Sequence, residues 1–593
     1  MTHAALRRLG ATPLGSDRCR FELWSPLAPR ASVHLLDDGR RVAMEPVDDE
    51  HHYAVEVDGV PTGARYRFHL GERGEWPDPA SRAQPEGVHG PSAVVDLAFP
   101  WTDHRWRGLS LDALVLYELH VGTFTAEGTF DAVIPHLARL RALGVTAIEL
   151  MPVARCPGSR NWGYDGVYPF AVQPAYGGPE GLMRLVDAAH REGLGVHLDV
   201  VYNHLGPEGN YLSQFGPYFT DVYSTPWGAA LNFDGPHSDA VRRYFIENAL
   251  QWVEDFHLDG LRLDAVHAIV DRSSYPFLEE LGDRVRQRAE ALGREVLVIA
   301  ESDANDPRLV RPSSRGGVGL DGVWSDDFHH ALHVLLTGER EGYYMDFGRV
   351  SDLAEAWRTG AVYRGRRSAF RQRRHGRDAP EVEGARHVVC SQNHDQVGNR
   401  ARGERLIALT DVSRAKLAAA LVILSPHTPL LFMGEEHGET APFLYFVDHG
   451  DAGLIEAIRR GRAEEFKGFV WEGELPDPAA EETLRRCVLD HDAREREPGR
   501  TLYALYEELL EARARLRPRG GERDRVTESE SPRWMKVLRG ERAVMAFNLS
   551  AEGVEVPLGV DGGWAVTVSS GGAPAAGQAV TLGAWGFAVY ERE

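Results

Sequence analysis

Four carboxylates stand where apolar runs give way to polar residues: Asp199 in GVHLDVVYNH, Asp264 in GLRLDAVH, Glu301 in VLVIAES and Asp395 after HVVCSQNH. A single buried acid at a strand end is most often structural. Four converging on one place are harder to read that way, because clustered carboxylates raise one another's pKa unless cations or donors intervene. A fold bears that cost where chemistry needs an acid beside a base. Cleavage of a glycosidic bond is chemistry of this kind: one carboxylate attacks the anomeric carbon, a protonated one assists the leaving oxygen, and a separation of about 5 to 5.5 Å gives retention. Adjacent parallel strands lie about 4.8 Å apart, so Asp264 and Glu301, at the ends of neighbouring strands, approach that geometry. Arg262 lies two residues before Asp264 and, by strand alternation, points to the same side, where charge pairing with Asp264 is expected.

Such groups need a scaffold that gathers distant segments. From Leu114 onward eight apolar runs recur, LVLYELH, AIELMPV, GVHLDVVYNH, GLRLDAVH, VLVIAES, GVWSDD, HVVCSQNHD and PLLFMGEE, with helical patterns between them. Each is apolar up to its C-terminal end, the pattern of parallel strands buried on both faces with functional groups at their exits. Eight such units predict a (β/α)8 TIM barrel over residues 106–500, with its site at the C-terminal face. That span exceeds the usual barrel of about 250 residues, so insertions are expected at 205–238 and 337–383.

Residues 1–105 alternate apolar and polar positions in short stretches (CRFELWS, ASVHLL, HYAVEV, ARYRFHL) between turn residues, which predicts an N-terminal, immunoglobulin-like β-sandwich. The proline-rich stretch from Trp76 to Ser92 reads as a connection. Residues 501–530 read as a helical linker, and 531–593 as a C-terminal antiparallel β-domain. The expected class is therefore multidomain.

A chain of 593 residues with 43% hydrophobic residues has material for several cores, since single cores stop growing at roughly 250 to 300 residues. It carries no apolar run of membrane-spanning length, and its start, MTHAALRRLGATPLG, has no apolar segment after the arginines. A soluble, cytoplasmic protein without a membrane partner is expected. Cys19, Cys156, Cys390 and Cys487 are too scattered for a disulfide framework or a zinc site. A net charge of −22 argues against nucleic acid and is compatible with a neutral ligand such as sugar. The run RGRRSAFRQRRHGR (364–377) invites phosphate. However, Lys416, Lys467 and Lys536 are the only lysines, so arginine is this chain's general basic residue and the run reads as a solvated helix or loop face.

DVVYNH (Asp199 to His204), GLRLDAVH (Gly260 to His267), AES (Ala300 to Ser302) and QNHDQ (Gln392 to Gln396) resemble, in order, the four signature regions of glycoside hydrolase family 13, the α-amylase family. The resemblance implies Asp264 as nucleophile, Glu301 as acid/base and Asp395 as the carboxylate that holds sugar hydroxyls and stabilises the transition state. It implies further that His204, Arg262, His267 and His394 lie around the cleaved sugar and that Tyr164 of NWGYDGV stacks on its face. FGPYFTDVYSTPWGAALNFDGPHSD (Phe215 to Asp239), WSDDFHHALH (Trp324 to His333), PFLYFVDH (Pro442 to His449) and EEFKGF (Glu464 to Phe469) resemble the maltooligosyltrehalose trehalohydrolases within it. That branch implies hydrolysis of the α-1,4 bond next to a terminal trehalose, a carbohydrate-binding-like N-terminal domain, and a cleft lined by Asp326, Asp327, Phe328, His329, His330, Gln396 and Asn399.

Asn203 lies where many α-amylases place a calcium ligand, but the resemblance implies a branch that does not need calcium, so neither metal nor cofactor is expected. His329, His330 and His333 have near-helical spacing without a carboxylate-rich second half of a metal site. Trp227 and Phe219 are open between packing and stacking on glucose rings. The expected partner is maltooligosyltrehalose, with maltooligosyltrehalose synthase as pathway neighbour and the chain itself a monomer. The rival readings are a branching-enzyme-type transglycosylase, which shares the catalytic positions, and a non-catalytic α-glucan-binding protein.

Overall fold

All eight apolar runs form strands, and the strands close into a parallel barrel in chain order. They are β1 (Leu116–Leu119), β2 (Ala147–Leu150), β3 (Gly195–Val200), β4 (Gly260–Leu263), β5 (Leu297–Ala300), β6 (Gly322–Trp324), β7 (His387–Val389) and β8 (Thr428–Phe432). The structure is a computed structural model that describes residues 8–465, 475–519, 521–560, 563–572 and 575–593; most of EEFKGF lies outside these. Helices cover the outside: α1 (Leu137–Leu143), α2 (Gly178–Glu192), α3 (Ser238–Glu254) and α4 (Phe277–Leu292) follow the first four strands. The expected alternation breaks after β5. Pro307, Pro312, Gly316, Gly317 and Gly319 occupy that connection, and proline and glycine disfavour helix, so only a 3-10 turn (Ser313–Arg315) precedes β6. Two helices then follow β6, α5 (Asp326–Thr337) and α6 (Val350–Thr359), before α7 (Val412–Ile423) and α8 (Gly499–Leu516) complete the ring. The Ser325 hydroxyl caps α5 by accepting from the Phe328 N–H, the usual device for freeing a helix start from unpaired donors.

The register of β3 against β4 sets the interior. His197 stands opposite Gly260, and Asp199 opposite Arg262. A Cβ at Gly260 would lie 2.5 Å from the His197 ring, so glycine is required there for the two strands to keep this register.

Both insertions carry structure of their own. The 205–238 segment forms a hairpin, Phe219–Thr225 with Gly228–Leu231. The 337–383 segment holds α6 and a second hairpin, Arg364–Arg367 with Arg374–Gly376. The arginine run is therefore a hairpin and not a helix: Arg367, Arg373, Arg374 and Arg377 are exposed, while Arg364 pairs with Glu355 and Asp378, Arg366 with Asp352 and Arg371 with Asp303. A further insertion, not expected from the sequence, follows β2, where Ala154–Arg155 pairs with Tyr168–Val172.

Before the barrel, strands Gly10–Gly15, Arg18–Trp24, Glu45–Pro46 and His52–Asp58 form one antiparallel sheet. Ser32–Leu35, Arg41–Ala43, Arg65–His69, Glu75–Trp76 and Ser92–Ala93 form another. Phe21, Val33, Tyr66 and Phe68 fill the space between them. After the barrel, five antiparallel strands from Arg525 to Arg592 make the main C-terminal sheet, with the pair Val554–Pro557 and Ala579–Leu582 beside it.

The reading of 501–530 as a linker does not survive. The apolar stripe of α8 buries Leu502, Leu505, Leu509, Leu510 and Leu516. Its Arg513 donates to the carbonyls of Ile423, Ser425 and His427, so it is a barrel helix. Residues Arg525–Glu530 already pair with Arg533–Arg539 in the C-terminal sheet.

That sheet carries a buried ion pair whose members also bond to the barrel side, Asp524 accepting from Trp357 and Arg539 donating to the Leu424 carbonyl. Arg539 donates to both oxygens of Asp524 at 2.8 and 2.6 Å, and the Trp357 indole of α6 donates to the same carboxylate at 2.8 Å. Removing one partner of a buried pair leaves an uncompensated charge at a cost of about 3 to 5 kcal/mol. Asp524→Ala is therefore expected to lower the thermal unfolding midpoint markedly; an unchanged midpoint would show that the pair does not hold the sheet on the barrel.

Candidate active site

The centre of the barrel mouth is a guanidinium. Arg262, on β4, is wholly buried. Its Nη1 donates to Asp199 Oδ2 at 2.7 Å and to Asp264 Oδ1 at 2.9 Å, and its Nη2 lies 3.8 Å from Glu301 Oε2. The guanidinium stacks over the Trp324 ring at 4.4 Å. Two charge-assisted hydrogen bonds and an aromatic face offset the desolvation of the cation.

Asp264 and Glu301 follow β4 and β5 directly, and the ladder continues through them. Leu263 pairs with Ala300, the Asp264 N–H donates to the Val200 carbonyl at 3.1 Å, and the Glu301 N–H donates to the Leu263 carbonyl at 2.9 Å. The two acids are thus neighbours on a rigid frame, with a backbone spacing of about 4.8 Å. The second oxygen of Asp264 accepts from Asn203 Nδ2 at 2.6 Å, so both its oxygens are held. Ala265 then turns with φ +39°, a left-handed conformation that costs an L-residue about 1 to 2 kcal/mol. The turn aims its N–H at Glu301 Oε2, 2.5 Å away.

Glu301 differs from Asp264 in what surrounds it. Burial pushes its pKa up to about 8; Arg262 pulls against this, while Asp264, Asp395 and Asp326 add to the rise. Asp326, on α5, is pushed up to about 7, by burial first and then by Asp303 and Asp395. Asp395 is the open member of the group, with a side chain 40% exposed, and accepts from Asn399 Nδ2 at 3.1 Å. Gln396 reaches Asp326 Oδ1 at 3.5 Å, and His267 is exposed after β4.

Other expected site residues are buried or have polar atoms engaged by the protein itself. Asp327 Oδ2 accepts from the backbone N–H groups of Val362 and Tyr363 and from Asn305 Nδ2, which makes it a loop-holding carboxylate. Phe328 is fully buried, edge-on to His427. His329 and His330 are buried: His329 stacks on His333 at 5.2 Å, and His330 packs on Tyr343 and Tyr344. Both ring nitrogens of His204 are engaged, with Asn203 Oδ1 at 2.6 Å and the Tyr164 carbonyl at 3.0 Å. Trp227, 49% exposed, stacks on the His204 ring at 4.8 Å, whereas Phe219 packs against the core. His394 is buried, and the Tyr164 hydroxyl sits between its Nε2 (2.7 Å) and Asp199 Oδ2 (2.6 Å).

Sequence reasoning gave no part in holding the reacting acids to three residues that the geometry brings forward. Asn203 holds Asp264, Trp324 faces Arg262, and Glu118 of β1 holds His394. An acid inside the otherwise apolar run LVLYELH was a signal for the last. Among the described residues no group of three or more His, Cys, Asp or Glu is arranged to hold a metal ion.

Comparison with known proteins gives the family. The alpha-amylase catalytic domain matches residues 76–223, and carbohydrate-binding module 48, the isoamylase N-terminal domain, matches residues 8–81. The malto-oligosyltrehalose trehalohydrolase of Saccharolobus solfataricus is 48% identical over 476 residues, 80% of this chain and 82% of its own length. This chain belongs to the malto-oligosyltrehalose trehalohydrolase family, within the α-amylase group. A solved chain from Salmonella typhimurium, described as a candidate alpha amylase, superposes with a TM-score of 0.89 at 38% identity, covering 99% of both chains. A 1,4-alpha-glucan branching enzyme of Synechococcus is more distant, at 30% identity over 56% of this chain and 50% of its own.

A reaction that draws a proton from Glu301 has a defined alkaline limit. The raised pKa means that the acid form is present below about pH 8 and lost above it. Activity is expected to fall about tenfold per unit above that point, and Glu301→Gln to remove both the activity and the limb; a rate flat to pH 10 would exclude Glu301 as the proton donor.

Proposed function

We propose that the protein hydrolyses the α-1,4-glucosidic bond next to the terminal trehalose of maltooligosyltrehalose with retention, releasing trehalose and a maltooligosaccharide. The observation that carries the chemistry is the contrast between two neighbouring acids. Asp264 has both oxygens held by donors, while Glu301 is kept protonated towards pH 8. Their adjacency on β4 and β5 supports the short separation that retention requires.

In the first step the Asp264 carboxylate attacks the anomeric carbon while Glu301 gives its proton to the departing trehalose oxygen. In the second, Glu301 takes a proton from water, which releases the glycosyl group from Asp264. Arg262 carries the charge balance of both steps: the negative charge that leaves Asp264 as the covalent bond forms appears on Glu301, 3.8 Å from the same guanidinium. On this reading Asp395, open and bonded to Asn399, takes sugar hydroxyls, and Asp326, Gln396, Tyr164 and His267 contribute to the same subsite. The preference for a trehalose end rests on the relatives at 40 to 48% identity that carry that name. On the same reading the enzyme is cytoplasmic and monomeric and acts after a maltooligosyltrehalose synthase.

Chromatography after incubation with maltopentaosyl trehalose, and with maltohexaose in parallel, separates the readings. Free trehalose plus maltopentaose, with much slower cleavage of maltohexaose, is the expected result. Comparable cleavage of both would refute the trehalose-end preference, and branched products would favour the transferase. Asp264→Asn, which keeps an oxygen for Arg262 to donate to, is expected to lose at least about a thousandfold in kcat while the chain still folds.

A further inference from the structure

The active-site arginine is reached from the far side of the barrel by a chain of hydrogen bonds that starts at Glu118. This glutamate, on β1, is buried and makes no contact with the cleft. Its Oε2 accepts the His394 backbone N–H at 2.8 Å, and its Oε1 accepts from His394 Nδ1 at 2.5 Å. His394 Nε2 faces the Tyr164 hydroxyl at 2.7 Å, and that hydroxyl faces Asp199 Oδ2 at 2.6 Å, the atom that also accepts from Arg262.

Counting protons along the chain assigns each role. The Tyr164 hydroxyl has one proton, and Asp199 in its carboxylate form can only accept it. Toward His394 the Tyr164 oxygen must then accept, so Nε2 is a donor. Nδ1 is already a donor to Glu118. His394 is thus a double donor, an imidazolium, and Glu118 is the carboxylate that makes a buried imidazolium tolerable.

We propose that Glu118 is a positioning residue for the hydrolysis: it fixes His394 as a double donor and, through Tyr164, fixes the orientation of Asp199 beside the Arg262 that holds the nucleophile. The inference rests on the glycosidase reading above. The groups that face His394 are Glu118 from β1, Glu149 from β2, Asp199 and Tyr164 across the mouth, Arg262 from β4, His120 just beyond β1 and Asp395 beside it in sequence. Among them only Glu118 has a carboxylate bonded to the ring. His394 is pushed up to about 9: burial opposes the charge, while Glu118 and then Asp395 favour it, and Arg262 opposes it. Without the Glu118 charge the imidazole falls back toward or below the ordinary value of about 6.5. Tyr164 then turns its proton to Nε2, and Asp199 loses a donor.

The test is Glu118→Gln, which keeps the shape and removes the charge. Two measurements are made on the full chain. The first is the 15N signal of the His394 ring across pH in the free protein, assigned by its loss in His394→Gln. The second is the pH dependence of kcat on maltooligosyltrehalose. Wild type is expected to keep the ring doubly protonated to about pH 9. E118Q is expected to titrate at least one unit lower, to add a His394-dependent loss of kcat that sets in below the Glu301 limb at about pH 8, and to lose about 10- to 100-fold in kcat with KM changed less than threefold. Glu118→Asp, which retains the charge, is expected to keep the wild-type limb at reduced kcat, and serves as the test if E118Q folds poorly. An E118Q loss of rate uniform across pH with His394 titrating as in wild type, or an E118D limb displaced toward pH 7, overturns the proposal. The ring titration needs no substrate, so it stands even where the assigned substrate is wrong, and an inactive wild type would refute only the functional reading.

Discussion

A guanidinium can be buried in the throat of a barrel only where carboxylates and an aromatic face replace its water. Arg262 is wholly buried, and the parts of the site around it follow from that need. Asp199 and Asp264 supply the two accepting oxygens, Trp324 supplies the face, and the register that sets Asp199 opposite Arg262 exists because Gly260 leaves room for the His197 ring. Breaking one such buried pair costs about 3 to 5 kcal/mol, a large fraction of the stability of an ordinary domain. The position of the nucleophile is therefore a condition of folding as much as of catalysis.

The same cation contacts the two adjacent acids differently. Asp264 is within direct hydrogen-bond reach of Arg262, whereas Glu301 stands 3.8 Å away and has a backbone N–H as its close donor. Burial is the largest cause of the rise at Glu301 and Asp326, which are pushed up to about 8 and 7, and it raises Asp199 to about 6 even with Arg262 bonded to it. Burial, opposed only in part by Arg262, is what raises Glu301, the kind of environment-driven shift that lets one carboxyl of a pair act as an acid at neutral pH.

The barrel was legible because its strands are buried on both faces. Runs such as VLVIAES and PLLFMGEE leave no polar face to misread, and their polar ends mark the mouth. What escaped was whatever depends on tertiary partners. The amphipathic stripe of 501–516 looks the same whether a helix packs on a barrel or bridges two domains. The arginine run from 364 gives no hint of the acids on α6 and after β5 that pair with it. Asp327 and His204 have the right types at the right positions, yet each is consumed by bonds to groups distant in sequence, Val362 and Tyr363 for the one and the Tyr164 carbonyl for the other. Glu118 was hidden for the opposite reason, since it faces the interior and its partner lies 276 residues away.

Chemistry and surroundings are built from different parts of the chain. The reacting acids hang from strand ends whose backbone ladder runs through them. Four of the eight large apolar side chains left exposed among the described residues lie on the insertions: Val222 and Trp227 on the hairpin after β3, Met345 and Phe370 after β6. Burying such groups would stabilise the chain by roughly 1.5 to 3 kcal/mol each, and Trp227 is held upright by stacking on His204 rather than folded inward. An aromatic ring kept open in this way offers a flat apolar face to the face of a sugar. Because these groups ride on hairpins and not on the barrel ladder, they can vary between relatives while Arg262 and its carboxylates stay fixed by the cost of disturbing them.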